Sequence, residues 1–214
     1  MISRGRPARR PRKPPRRPRL KKRRKLIQPE LLPGKGWVLG LDVSSSAVGW
    51  CIFHDDALIK YGKLHPHGAD GTHGEKLAEY RKLLCELFET YELDHVVVEV
   101  PYRGRNATTY GTLMMYLGTL LATYFEYFTE ELPKVQQIQP SQVKDLLGFE
   151  QIKVYGERKR RMVELINSLY SLDLKYKAKS KLSDDDVADA IALVHAWRTL
   201  QRKRPEDDEL CLTN

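Results

Sequence analysis

The chain has 214 residues, 41% of them hydrophobic, which suffices for one well-buried domain and is too little for two once a charged end is set aside. Its formal charge of +9 is unevenly spread: residues 1–25 hold ten Arg, four Lys and no acid, so the remaining 189 residues sum to −5. No run of about 18 apolar residues exists to span a bilayer, and no apolar segment follows the basic start as in a secretory signal. Cys51, Cys85 and Cys211 form no Cys-x-x-Cys pair, which argues against a structural zinc site and fits a reducing compartment. The expectation is a soluble intracellular protein, with cytoplasm, nucleoid, virus and organelle all left open.

The first segment also carries five prolines and almost no large apolar side chain, so burial cannot offset the entropy of ordering it. A disordered basic arm over residues 1–30 is expected. Each Lys or Arg that neutralises a phosphate releases counterions, so such an arm suits nucleic acid and should bind it without reading sequence. A solubility tail, a nuclear-localisation patch at 21–25 and a transit peptide are the alternatives, the last weakened by the prolines.

Residues 36–44 (GWVLGLDVS) form a short apolar run bounded by glycine and serine, a buried strand ending in an acid. Residues 48–54 and 58–64 read as two more, joined tightly at Asp55 and Asp56, so the opening is an antiparallel meander. Apolar positions at helical spacing predict a helix over 74–93, and the β-branched run 95–100 predicts a central strand with one interior acid, Glu99. Residues 106–130 follow as a long helix and 135–139 as a short strand. Pro140 then opens a helix where its missing N–H costs nothing, and Gly148 stops it. A basic helix over 156–170, a lysine-rich loop at 175–181 and a last helix over 183–202 complete the order. The whole predicts an α/β mixed sheet with crossover helices on its faces.

Four acids fall where packing alone would not put them. Asp42 ends the first strand, Glu99 lies in the apolar fourth, and Asp186 and Asp189 begin the last helix. An ionised carboxylate in a dry sheet is costly unless paired or bound to metal, and no Lys or Arg stands in the runs around Asp42 or Glu99. Asp186 and Asp189, three apart, project from one face of a helical turn, while Ala188, Ala190 and Ala192 would let that helix lie close to a sheet. Oxygen-only ligands favour Mg²⁺ or Mn²⁺, and two such ions can hold an attacking water and a leaving oxygen on one phosphate. Each acid also has a local use: Ser183 and Asp186 nearly make a capping box, Asp42 can cap the Ser44–Ser46 turn, and Glu99 can pair with Arg103 or Arg105. Asp184 and Asp185 remain open as substitutes for Asp186.

The successive segments GLDVSSSAVGW, VVVEVPYRGRNATTYGTLMMYLGTL, IQPSQVKDLLG and DDDVADAIALVHA resemble the motifs of the RuvC-type Holliday junction resolvases and cover most of residues 36–198. The resemblance implies a ribonuclease H-like five-stranded mixed sheet with helices on both faces, a homodimer, and cleavage of four-way or branched DNA with two Mg²⁺ per site. Its metal ligands would be Asp42, Glu99, Asp186 and Asp189. The family's Pro-x-x-Val-Lys element is matched by Pro140, Val143 and Lys144, which implies that Lys144 approaches the scissile phosphate. A second basic phosphate contact would come from the stretch holding Arg158, Lys159, Arg160 and Arg161. The nuclease domain is then expected over 34–204, with an acidic tail over 205–214.

After Glu99 comes Tyr102-Arg103-Gly104-Arg105, an aromatic flanked by cations that could stack on an unpaired base and grip the backbone. His65 and His67 lack partners to complete a metal site, and His195 is off the face of Asp189 and reads as packing or surface. Tyr110, Met114, Met115, Leu117 and Leu121 read as core or dimer surface. The competing readings are another ribonuclease H-like nuclease acting on RNA–DNA hybrid or as a transposase, an actin-like ATPase half lacking its glycine-rich loop, and a noncatalytic DNA-packaging protein.

Overall fold

A computed structural model describes residues 36–44, 47–66, 71–101, 106–128, 134–149, 152, 154–178, 180 and 182–203. The basic arm, the acidic tail and the Tyr102–Arg105 segment lie outside the described residues. Three strands, β1 (Trp37–Val43), β2 (Val48–His54) and β3 (Ala57–Leu64), form the expected antiparallel meander, turned at Asp55, whose φ is +48°. β4 (Leu93–Glu99) and β5 (Lys134–Ile138) add in parallel beside β1, giving the order β3-β2-β1-β4-β5. Parallel neighbours need crossovers, which here are α1 (His73–Thr90) and α2 (Ala107–Tyr127). The chain ends in α3 (Pro140–Leu146), α4 (Tyr155–Tyr170) and α5 (Asp185–Lys203).

Among the boundaries that differ from expectation, two have clear local reasons. The first helix stops at Thr90, because Leu93 is buried and already pairs with Trp37 as the first residue of β4. The last helix starts at Asp185, not at 183: the Ser183 hydroxyl accepts from the Lys177 N–H at 3.1 Å and the Asp184 carboxylate from the Lys175 N–H at 2.9 Å. Both residues are thereby tied to the preceding loop. No described helix is long and apolar enough to cross a membrane.

Strand alternation separates the two faces of the sheet. Leu39, Leu41, Val96 and Val98 pack with α1 and α2, around Tyr80, Leu84, Tyr116 and Leu120. Val38, Cys51 and Val97 pack with α3, α4 and α5, around Met162, Ile166, Ile191 and Val194. His195 belongs to this second core, with the Tyr170 hydroxyl 3.0 Å from its Nδ1. On the same face α5 comes close to the sheet at two glycines. A Cβ on Gly40 would lie 2.5 Å from Val194 Cγ2, 2.7 Å from the Cys51 sulfur and 2.9 Å from the Ala190 carbonyl oxygen, and one on Gly49 would overlap the Asp186 carbonyl. Ala188, Ala190 and Ala192 of the same helix are fully buried.

That close approach generates a test. Gly49→Ala must push backbone against backbone and should cost about 1–3 kcal/mol, the usual range for overpacking. Gly74→Ala on the exposed start of α1, where a methyl meets only the Thr72 hydroxyl at 4.0 Å, should cost nothing. Urea unfolding of both variants checks the contrast, and equal midpoints would show that α5 is not seated on Gly49.

Candidate active site

Asp42 and Glu99 reach the same place by strand parity. Val38 and Val97 face α5, so Asp42, four residues on, and Glu99, two on, face it too. The parallel register pairs Leu41 with Val98, and one further step sets Asp42 beside Glu99. The seating of α5 then brings its first turns over the ends of β1 and β4. Asp42, Glu99, Asp185, Asp186 and Asp189 line one open cleft of about 740 Å³. Lys144 of α3 and Arg158 and Lys159 of α4 line it as well, with Tyr155, Tyr176 and Lys177.

The electrostatics are lopsided. Asp42 is 8% exposed, and its carboxyl is held well above the ordinary range by burial, by the neighbouring Asp189 and Glu99 charges and by a hydrogen bond to Glu99. Asp189 is pushed up to about 6, by burial first and by Glu99 and Asp185 beside it, against the pull of Lys159. Asp186 is raised by burial and by Asp185. Asp185 moves the other way: burial opposes ionisation, but the Ser183 hydroxyl and Lys159 outweigh it. Burial likewise opposes the charge on Lys159, and the Asp189 and Asp42 carboxylates overcome it and raise the ammonium.

Lys159 is thus the cation at the centre of the acids. Its Nζ is 3.2 Å from Asp185 Oδ2 and bonds Asp189 directly, and its side chain is only 14% exposed. The oxygen-only donor set suits a hard divalent cation, and the mutual repulsion of Asp42, Glu99 and Asp189 favours one. Among the described residues no three acids, histidines or cysteines are gathered at coordinating spacing. The expected ligands are therefore neighbours in one cleft whose oxygens do not converge on one point.

Of the expected DNA contacts, Lys144, Arg158 and Lys159 line the cleft. Arg160 does not: one residue further round α4, it reaches Glu164 at 3.7 Å on the exposed side. Asp184 is taken up by the Lys175 N–H and lies 3.9 Å from Lys63, whereas Asp185 turns into the cleft. Tyr155 was not legible as a site residue. It is 63% exposed at the cleft rim, with Arg158 and Lys159 5.4 and 5.8 Å from its ring centre. Only the turn that starts α4 at Tyr155 puts the ring there.

No protein-family model matches the chain, and no curated protein does. Solved structures do. Thermus thermophilus RuvC in complex with a Holliday junction substrate is 16% identical over 78% of this chain and 96% of that one, with a TM-score of 0.58. A second Thermus thermophilus RuvC structure gives 17%, 78%, 95% and 0.58. The yeast mitochondrial Holliday junction resolvase Ydc2 gives 14%, 80%, 81% and 0.55. At these identities the likeness is one of fold: the chain shares the fold of these RuvC and Ydc2 structures.

The raised Asp42 carboxyl makes a prediction about stability. A carboxyl that titrates higher in the folded state than in the unfolded one costs the native state stability as pH rises through that interval, and the cost is complete above it. Asp42→Asn should therefore stabilise the protein in EDTA by about 1–2 kcal/mol at neutral pH and above, the scale on which active-site residues trade stability for function. The gain should shrink as pH falls into the ordinary Asp range. Denaturant midpoints across that range measure it, and an Asn variant no more stable than wild type at neutral pH would contradict the charge balance.

Proposed function

We propose that the protein is a structure-selective endonuclease that cuts four-way or branched DNA by phosphodiester hydrolysis. The observation that carries this reading is the meeting of strand-end Asp42, mid-sheet Glu99 and the α5 acids in one cleft, together with cations from α3 and α4, on a RuvC-type fold. The Thermus neighbour is described in complex with a Holliday junction, and the same substrate class is assigned here.

Asp42, Glu99, Asp186 and Asp189 would hold two Mg²⁺, or Mn²⁺, with Asp185 available beside them. When bound, these ions supply the charge that draws the phosphate in and lower the pKa of a water. The chain's own residues do the rest. Lys144 and Arg158 receive the phosphate backbone from the cleft walls, and hydrogen-bonded cations there stabilise the charge that grows on the phosphoryl oxygens. Tyr155 offers an exposed ring to a base splayed out at the branch point. The apolar floor of Val143, Met162 and Leu193 keeps the acids partly dry, which strengthens each of these interactions. The basic arm over 1–30 adds sequence-independent affinity to the 34–204 core.

Opposed cuts need two sites, and α2 offers the surface for a symmetric pair. Its 21 residues carry a single charge, Glu126. Opposite the buried Tyr116, Leu120 and Tyr124, exposed Gly111, Met114, Met115, Gly118, Ala122 and Phe125 fall on one face. The glycines admit a second helix closely, and a self-complementary apolar stripe suits a two-fold axis.

Three outcomes are expected on this reading. A labelled four-way junction with Mg²⁺ should receive paired symmetric nicks that linear duplex and RNA–DNA hybrid do not, lost in EDTA. Asp42→Asn and Glu99→Gln should lower the rate by about 10²–10³-fold, the common cost of removing one electrostatic contact to a transition state. Cutting of the hybrid instead would assign a ribonuclease H, and binding with no metal-dependent cutting a packaging role. Met115→Glu should convert a dimer to a monomer in light scattering, and an unchanged mass would move the interface off α2.

A further inference from the structure

Lys159 holds more than an accessory phosphate contact could explain. Its ammonium bonds Asp189, whose oxygens a divalent ion would use, lies 3.2 Å from Asp185, and feels the charge of Asp42 in the same cleft. Lys159 faces several carboxylates at once and compensates only part of their charge. While it is tied there its ammonium is not available to a phosphate. The same ammonium already lies over the Tyr155 ring, 5.8 Å from its centre, with Arg158 beside it at 5.4 Å.

We infer that Lys159 is a displaceable counter-ion: it pairs with Asp185 and Asp189 until a divalent cation takes the Asp189 oxygens, and the released ammonium is then free to meet the DNA phosphate. Metal loading and DNA grip are thereby coupled through one side chain. The inference rests on the proposed metal-dependent reading of the cleft, and it makes Lys159 a positioning residue for the acids before it becomes a contact for the substrate. Because ammonium and metal compete for the same oxygens, each weakens the other's hold by the same factor.

The test uses the intact protein without DNA. Lysine acylation by a succinimidyl ester, read by mass spectrometry, should find Lys159 slow in EDTA and several-fold faster with Ca²⁺. Lys82 on α1, with its side chain 79% exposed, should not change. In calorimetry, Lys159→Met should bind Mn²⁺ roughly tenfold more tightly than wild type, within the usual range of coupling between competing groups, while Lys159→Arg should not. Ca²⁺ binding that leaves Lys159 reactivity unchanged, or a Met variant that binds Mn²⁺ no more tightly, overturns the counter-ion role and leaves the metal-centre reading standing. A wild-type protein that binds neither ion overturns both.

Discussion

The backbone contact between α5 and the glycine positions of β1 and β2 is the constraint on which the rest depends. Side chains normally hold a helix off a sheet, whereas here Gly40 and Gly49 offer none and the α5 backbone at Asp186 and Ala190 comes down onto them. A short Asp side chain cannot reach across an ordinary gap to a strand-end carboxylate. Seated this deep, the helix sets Asp189 close enough to Asp42 for their charges to oppose one another. The small residues therefore determine the chemistry as directly as the acids do. The anchors that fix the helix are polar and come from far along the chain: Lys63 donates to the Ser183 carbonyl, and Arg198 donates to the Asp55 carbonyl while lying 4.6 Å above the Phe53 ring.

Such a site works against the stability of its own fold. Burial and mutual repulsion raise Asp42, Asp186 and Asp189, and one ammonium compensates only part of the charge. What sustains the arrangement is apolar packing elsewhere on the same face, where Phe53, Met162, Ile166, Ile191 and Trp197 close a continuous core. On the proposed reading, acids stored at the edge of that core would be preorganised for cations, because the cost of gathering them is met in folding rather than at the moment of binding.

Most of the fold was legible because it is written in period. The alternation of 36–64 and the β-branched run before Pro101 carry strands, and Pro140 and Gly148 bracket α3, the latter at a φ of +75°. The acids were legible through burial chemistry: Asp42 and Glu99 stand in apolar runs with no local cation, and such residues ask for a partner from elsewhere in the chain. What could not be read was the identity of that partner. Lys159 sits in a run of four basic residues, and only the rotation of α4 decides that Lys159 turns inward while Arg160 turns out to Glu164. The same limit applied among Asp184, Asp185 and Asp186. Consecutive acids differ by about 100° round a helix, and the starting point of the helix, set by loop hydrogen bonds to Ser183 and Asp184, assigns their directions.

The sheet divides two tasks between its faces, and strand parity enforces the division. Along β1, Val38, Gly40 and Asp42 serve the α5 side while Leu39 and Leu41 serve the side of α1 and α2. A one-residue slip in register would bury Asp42 under α1 and α2 and turn leucine into the cleft, destroying chemistry and packing together. The two faces are consequently fixed by one variable. The antiparallel pairing with β2 and the parallel pairing with β4 both set it, which makes β1, flanked on each side and covered on both faces, the strand from which the positions of the acids are measured.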